Sequence, residues 1–219
     1  PGARAIDGRR LPEERAFDEF HLYTLPRPVQ VRNNELKQVE FLRASGVKGN
    51  RYYVYNPLMG FGYYGGVNTD PDYGTTTEKK VGVRIEISNS ETNQLGVPLP
   101  KGRMRLYRTD VDGRREFTGE NEMDHLPRNE LLKLDMGKAF DLVGERKRTE
   151  FSVDSTGKRM SESFEIKLRN RKEAPVEIRV VEPLYRCAKR KIAAASLPFT
   201  KFDANTIEFR APVPADGET

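Results

Sequence analysis

Apolar residues recur at every second position along most of this chain. Val81, Val83, Ile85 and Ile87 are separated by Gly82, Arg84 and Glu86. A strand turns successive side chains to opposite faces, so this pattern predicts one buried face and one polar face. The same period runs through Phe164, Ile166 and Leu168, and through Val176, Ile178 and Val180. Further strand candidates are "RYYVY" (51–55), "RMRLYR" (103–108), "REFTGENEM" (115–123), "LLKLDMG" (131–137), "AFDLVGERKRTEFSV" (139–153) and "NTIEFRAPV" (205–213). Near the start, Leu22, Thr24, Val29 and Val31 precede an Asn33-Asn34 turn signal, and a second alternating run, with Val39 and Phe41 inward, follows it. That pairing of runs predicts a hairpin.

Short strands with turn signals between them predict an all-β protein. The pattern restarts after Gly137, which predicts two tandem antiparallel β-sandwich domains, Ig-like in outline, over 21–137 and 138–219. Residues 1–20 are polar and are expected to be a linker or N-terminal extension, a short helix after Pro12 being the other reading. "AKRKIAAA" (188–195) is ambiguous between helix and loop. The closing strand runs into the turn residues Pro214-Ala215-Asp216-Gly217. The expectation is that one more strand belongs there, and that without it a sheet edge stands open to another chain.

Composition supports strands with many outward positions: 36 % of residues are apolar and 32 % charged. The net charge is +5, but acids and bases are interleaved, as in "ERKRTE" (145–150) and "RNRKE" (169–173). Such runs read as a solvated strand face. Nucleic-acid binding through Arg146–Arg148 and Lys189–Lys191 is therefore not favoured. Cys187 is the single cysteine, so no internal disulfide forms. No apolar run reaches the ~20 residues of a membrane-spanning helix.

Catalytic chemistry has little to stand on. His21 and His125 lie far apart, and neither has a metal-ligand spacing with Cys187. "DVDGR" (110–114) resembles the opening of a calcium loop. Its fifth position is Arg114 and its twelfth Asn121, so a hairpin turn is expected instead. Asp70 and Asp72 are a minor candidate for a cation. The chain shows no phosphate-binding glycine loop and no nucleophile elbow. No catalytic residue, cofactor site or metal site is assigned, and a non-enzymatic protein is expected.

The distinctive stretch is 51–74. It holds six of the nine tyrosines and five glycines, in a chain without tryptophan. "RYYVY" belongs to a strand, which leaves a Tyr/Gly-rich insert at 56–77. Phe61, Tyr63, Tyr64 and Tyr73 are its candidate interaction residues, because rigid amphipathic rings suit partner contacts. The rings have four readings: packing on their own domain, a protein interface, a sugar platform, or base stacking. A carbohydrate-binding module or carbohydrate-active enzyme domain is the alternative to a protein-interaction role.

Several phrases in order, "LYTLPRPVQVRNNELKQVEFL", "NQLGVPLPKGRMRLYRTDVDG", "EFTGENEMDHLP", "MGKAFDLVGERKRTEF", "SFEIKLRNRKEAPVEIRVVEPL" and "TKFDANTIEFRAPVPADGET", resemble the bacterial domain of unknown function 4139 family, also found in mucoidy-inhibitor-A-like proteins. The resemblance spans about His21 to Thr219. It implies a β-rich C-terminal portion of an exported or cell-envelope protein, located in the periplasm, envelope or outside the cell, with no established catalytic residues and a final strand after the "PADGET"-like turn. The departure is 56–77, where the family has a variable link. The expected function is a structural or protein-interaction module that associates with protein, including copies of itself, through the insert or the open C-terminal sheet edge.

Overall fold

The computed structural model describes residues 12–25, 28–63, 65–157 and 159–219. The architecture is all-β. In chain order the strands are β1 (Glu13–Phe17), β2 (Phe20–Thr24), β3 (Gly49–Tyr55), β4 (Lys80–Ser88), β5 (Gly102–Thr109), β6 (Arg115–Met123), β7 (Leu131–Val153), β8 (Met160–Asn170), β9 (Val176–Pro183), β10 (Phe199–Lys201) and β11 (Thr206–Val213). One 3-10 turn spans Glu91–Asn93. No helix among the described residues is long and apolar enough to cross a membrane.

The strands do not sort into two pairs of facing antiparallel sheets. They form one seven-stranded sheet, in the order β10-β11-β9-β3-β4-β7-β8, and two two-stranded sheets, β1-β2 and β5-β6. The large sheet is mixed, because β3 and β9 pair in parallel, with Tyr53 opposite Ile178 and Tyr55 opposite Val180. A strand pattern alone carries no sign of direction, so the antiparallel expectation fails at this pair.

The chain divides into two compact units. One comprises Pro1–Arg51 and Ile85–Asp135, the other Tyr52–Arg84 and Met136–Thr219. The second unit takes residues 52–84 that the sequence reading had placed in a continuous domain over 21–137. The reason is pairing: β3 lies between β9 and β4, and β4 lies beside β7. β7 also runs unbroken through Gly137, which adopts φ +92 within the strand rather than ending it.

In the second unit the large sheet curls on itself. β11 and β8 are five strands apart in sheet order, which in a flat sheet would separate them by roughly 24 Å. Yet Leu142, Leu168, Ile178, Ala211 and Val213 form one buried cluster with Tyr55 and Val81. The segment after β11 also reaches β8: Leu168 and Thr219 exchange backbone hydrogen bonds of 2.9 and 3.0 Å. The β8 edge at 168–170 is thus occupied by 217–219, and the open C-terminal edge expected from sequence is not open there. Buried Asn170 fixes this corner. Its Nδ2 donates to the carbonyls of Ala174 and Pro214, and its Oδ1 accepts from the Lys172 amide.

In the first unit Asn89 plays the same part. It is wholly buried, its Nδ2 donates to the carbonyls of Val97 and Pro127, and its Oδ1 accepts from the Gly96 amide. β1 and β2 form a hairpin where a linker or helix was expected, with Phe17 opposite Phe20, and the rest of the expected 1–20 extension, residues 1–11, lies outside the described residues. The turn at Asn33-Asn34 is present, with Asn34 at φ +60, but 28–48 builds no strand ladder around it. Leu36 is 99 % exposed and Val31 and Val39 are exposed as well, so that run meets no core that would hold it in a sheet. Phe41 does turn inward, edge-on to Tyr23 at 4.9 Å. The "DVDGR" segment is a hairpin turn, closed by the Asp110 amide on the Arg114 carbonyl.

Candidate interaction site

The insert at 56–77 leaves β3 and returns to β4, and its base is closed by the Glu78 amide on the Pro57 carbonyl at 2.8 Å. Pro57 and Leu58 are fully buried, so the loop begins with an apolar plug. The Leu58 carbonyl accepts from the Phe61 amide and reverses the chain. Further on, Asn68 Oδ1 caps the Asp70 amide and Asp70 Oδ1 caps the Asp72 amide. Such side-chain-to-backbone turns are the usual work of Asn and Asp in loops. The Asp70 carboxylate, a minor cation candidate, serves the loop's own backbone, and no group of three or more metal-ligating side chains occurs among the described residues.

Two arginines from the frame grip the loop by its main chain. Arg186, buried, donates through Nη1 to the carbonyls of Asn68 and Asp70 and through Nη2 to that of Tyr73. Its Nε bonds Glu162 at 3.0 Å. Arg146, on β7, donates through Nη1 to the Gly74 carbonyl at 3.1 Å. Its Nε and Nη2 hold both oxygens of Glu182, on β9, at 2.6 to 3.1 Å, and its guanidinium stacks 3.6 Å from the Phe164 ring centroid. "ERKRTE" is therefore not uniformly a solvated face, since Arg146 is buried and committed. That also removes it from any nucleic-acid surface. Burial pushes the Glu182 carboxyl above the usual carboxylate range, and Arg146 pulls against that shift.

Above the arginines lies a ring cluster. Phe61 and Tyr73 pack edge-on at 5.4 Å, and both pack edge-on against Tyr185, at 6.2 and 5.4 Å. Such pairs contribute about 1 kcal/mol each beyond burial. Tyr185 is 4 % exposed. Its hydroxyl makes no hydrogen bond of ordinary geometry among the described residues, although the Arg146 charge lies near enough to act on it. Burial, and then Glu162, push that phenol up. A Cβ at Gly74 would fall 2.4 Å from the Tyr185 oxygen, and Gly74 adopts φ +74, so two separate constraints require glycine.

Of the four candidate residues, Phe61 and Tyr73 are brought together, half-buried against their own unit. Tyr63 is half-buried without a ring partner in that cluster. Tyr64 lies outside the described residues. Among the described residues, the large apolar side chains that the insert turns outward are not aromatic: Met59 is 62 % and Val67 66 % exposed, alongside the exposed Asp70 and Asp72. Sequence reasoning missed these two apolar groups, and it missed Arg146, Glu182, Glu162 and Arg186. His21 pairs with Glu14 at 2.7 Å, and Cys187 Sγ contacts the Lys189 carbonyl. Comparison with protein-family models, with curated proteins and with solved structures finds no match to this chain.

Proposed function

We propose that this chain is a non-enzymatic structural and protein-interaction module, and that the insert at 56–77 is its contact element. The observation that carries this reading is the division of labour within the insert. The backbone of 68–74 and four side chains, Pro57, Leu58, Phe61 and Tyr73, are fixed to the frame, while Met59 and Val67 are held out to solvent. A loop held this way loses little conformational entropy on association, which favours a specific contact. The buried charges near it, Arg146, Glu182, Glu162 and Arg186, are engaged with one another and with backbone carbonyls, as anchors rather than reagents. The resemblance to the domain of unknown function 4139 family supports a setting in a bacterial cell-envelope or exported protein.

The test is site-specific photocross-linking in the source cells, with the reactive group at position 67 and a control at Phe140, which is exposed on β7. The reading predicts discrete protein adducts, to a second copy or to another protein, from position 67 and not from 140. Equal or absent adducts at both positions would refute it.

A further inference from the structure

The two-stranded sheet β5-β6 lies wholly in the first unit, and it holds an aromatic pair in the open. Residues 103, 105 and 107 alternate along β5 and so share one face. Their partners across the ladder are Glu122, Glu120 and Phe117. Tyr107 and Phe117 pack edge-on at 5.7 Å, yet they are 57 % and 56 % exposed. Phe61 and Tyr73 of the insert, by contrast, are drawn onto Tyr185.

The row beside the rings is charged and already ordered. Glu120 takes Arg105 Nε at 2.8 Å on one oxygen and Arg103 Nε at 3.3 Å on the other. Both arginines are thus held by their Nε side. Their Nη groups make no hydrogen bond among the described residues. Tyr107 lies near enough to act on the Arg105 charge, so rings and guanidiniums form one patch.

Rings beside free guanidiniums suit a protein, a single-stranded nucleic acid or an acidic sugar. Size counts against the protein. From 103 to 107 the strand advances about 13 Å, and its partner runs about 5 Å away. That patch is far below the ~800 Å² each partner gives to a standard interface. Charge counts against the nucleic acid. Residues 102–123 carry five arginines and five acids, so the hairpin has no net charge to offer a continuous phosphate chain. A sugar acid suits both facts. Its hydroxyls hydrogen-bond to groups of either sign, its C–H face packs on a ring, and its isolated carboxylate fits a guanidinium fork. We infer that the outward face of the β5-β6 hairpin binds a uronic-acid oligosaccharide, with Tyr107 and Phe117 against the sugar rings and Arg103 and Arg105 on a carboxylate. The insert belongs to the other unit, so this binding and the protein contact stand or fall separately.

Isothermal titration calorimetry of the whole chain with a de-esterified oligogalacturonide tests this, with the methyl-esterified form as the uncharged control. The acid form should bind, more weakly as salt rises, and the ester should bind roughly tenfold more weakly or not at all. Arg103→Gln/Arg105→Gln should weaken binding of the acid form about tenfold or more, because each fork is charge-assisted. Tyr107→Leu/Phe117→Leu keeps apolar bulk on the hairpin and removes the ring faces, and it should weaken binding to a similar degree. Phe140→Ser, an exposed ring on β7, should change nothing. Melting temperatures of all variants, measured alongside, should match the parent, since the altered side chains are exposed. No binding of the acid form, equal binding of acid and ester, or hairpin variants that bind like the parent would overturn the inference. An oligothymidylate or a polyglutamate peptide bound more tightly than the uronide would overturn it as well.

Discussion

Arg146 Nη2 lies 2.6 Å from Glu182 Oε1, with the arginine side chain fully buried and that of the glutamate 9 % exposed. The pair joins β7 to β9 beneath the insert, and the same guanidinium holds the Gly74 carbonyl. Removing one member leaves an uncompensated buried charge. Arg146→Met should therefore destabilise the chain by about 3–5 kcal/mol in urea unfolding, whereas Arg146→Met/Glu182→Leu should regain most of that loss. Equal loss in the single and double variants would show that the pair itself contributes net stability.

Glycine is required at 74 and optional at 62. Gly74→Ala meets both a left-handed backbone and the Tyr185 ring, and should cost roughly 2–4 kcal/mol. Gly62→Ala meets nothing within 4 Å and has no unusual φ. Its effect should stay within about 0.5 kcal/mol. Chemical denaturation of the two variants side by side checks the contrast.

Two buried phenols predict an alkaline limit. Burial raises both Tyr55 and Tyr185 above the ordinary 10.0, with Arg146 opposing it in each case. A phenol whose folded-state pKa is raised adds stability that is fully present below pH 10. That stability is lost as pH climbs through the folded-state value, because the unfolded chain ionises first. Stability should therefore fall above pH 10. Absorbance at 295 nm should show the exposed tyrosines ionising first, and Tyr55 and Tyr185 only together with unfolding, followed by circular dichroism. Ionisation of all nine tyrosines in one transition near 10 with the fold intact would contradict this.

Asn89 and Asn170 organise turns that no hydrophobic residue could. Asn89→Ala strands the Gly96 amide and two carbonyls in a buried place, and should cost about 3 kcal/mol. Asn89→Asp should be no better, because it sets a negative charge against the Val97 and Pro127 carbonyls. Thermal melting of both variants measures this.

Much of the strand content was legible because period two is a local property. Phe164, Ile166 and Leu168, and Val176, Ile178 and Val180, face inward as their spacing requires. Strand direction and partner were not legible, since the β3–β9 parallel pair depends on contacts more than a hundred residues apart. The buried ion pair did leave a trace. Arg146 is in phase with Leu142 on β7, and Glu182 with Ile178 and Val180 on β9, so two inward-phase positions carry opposite charges. Reading composition rather than phase assigned "ERKRTE" to solvent. Arg186 left no such sign, because it lies beyond the end of β9, where no period applies. The tyrosines misled in part: Phe61 and Tyr73 are drawn onto Tyr185, and the large apolar groups held outward are Met59 and Val67.

The most direct test of the central claim is the cross-linking yield at an unaltered insert position, such as Gly65, in Met59→Ser/Val67→Ser protein whose thermal melt is measured alongside. Because both side chains are exposed, the account predicts an unchanged melting temperature with the protein adduct lost. A lowered melting temperature with the adduct intact would contradict it, and would make the insert part of the folded core rather than the contact element.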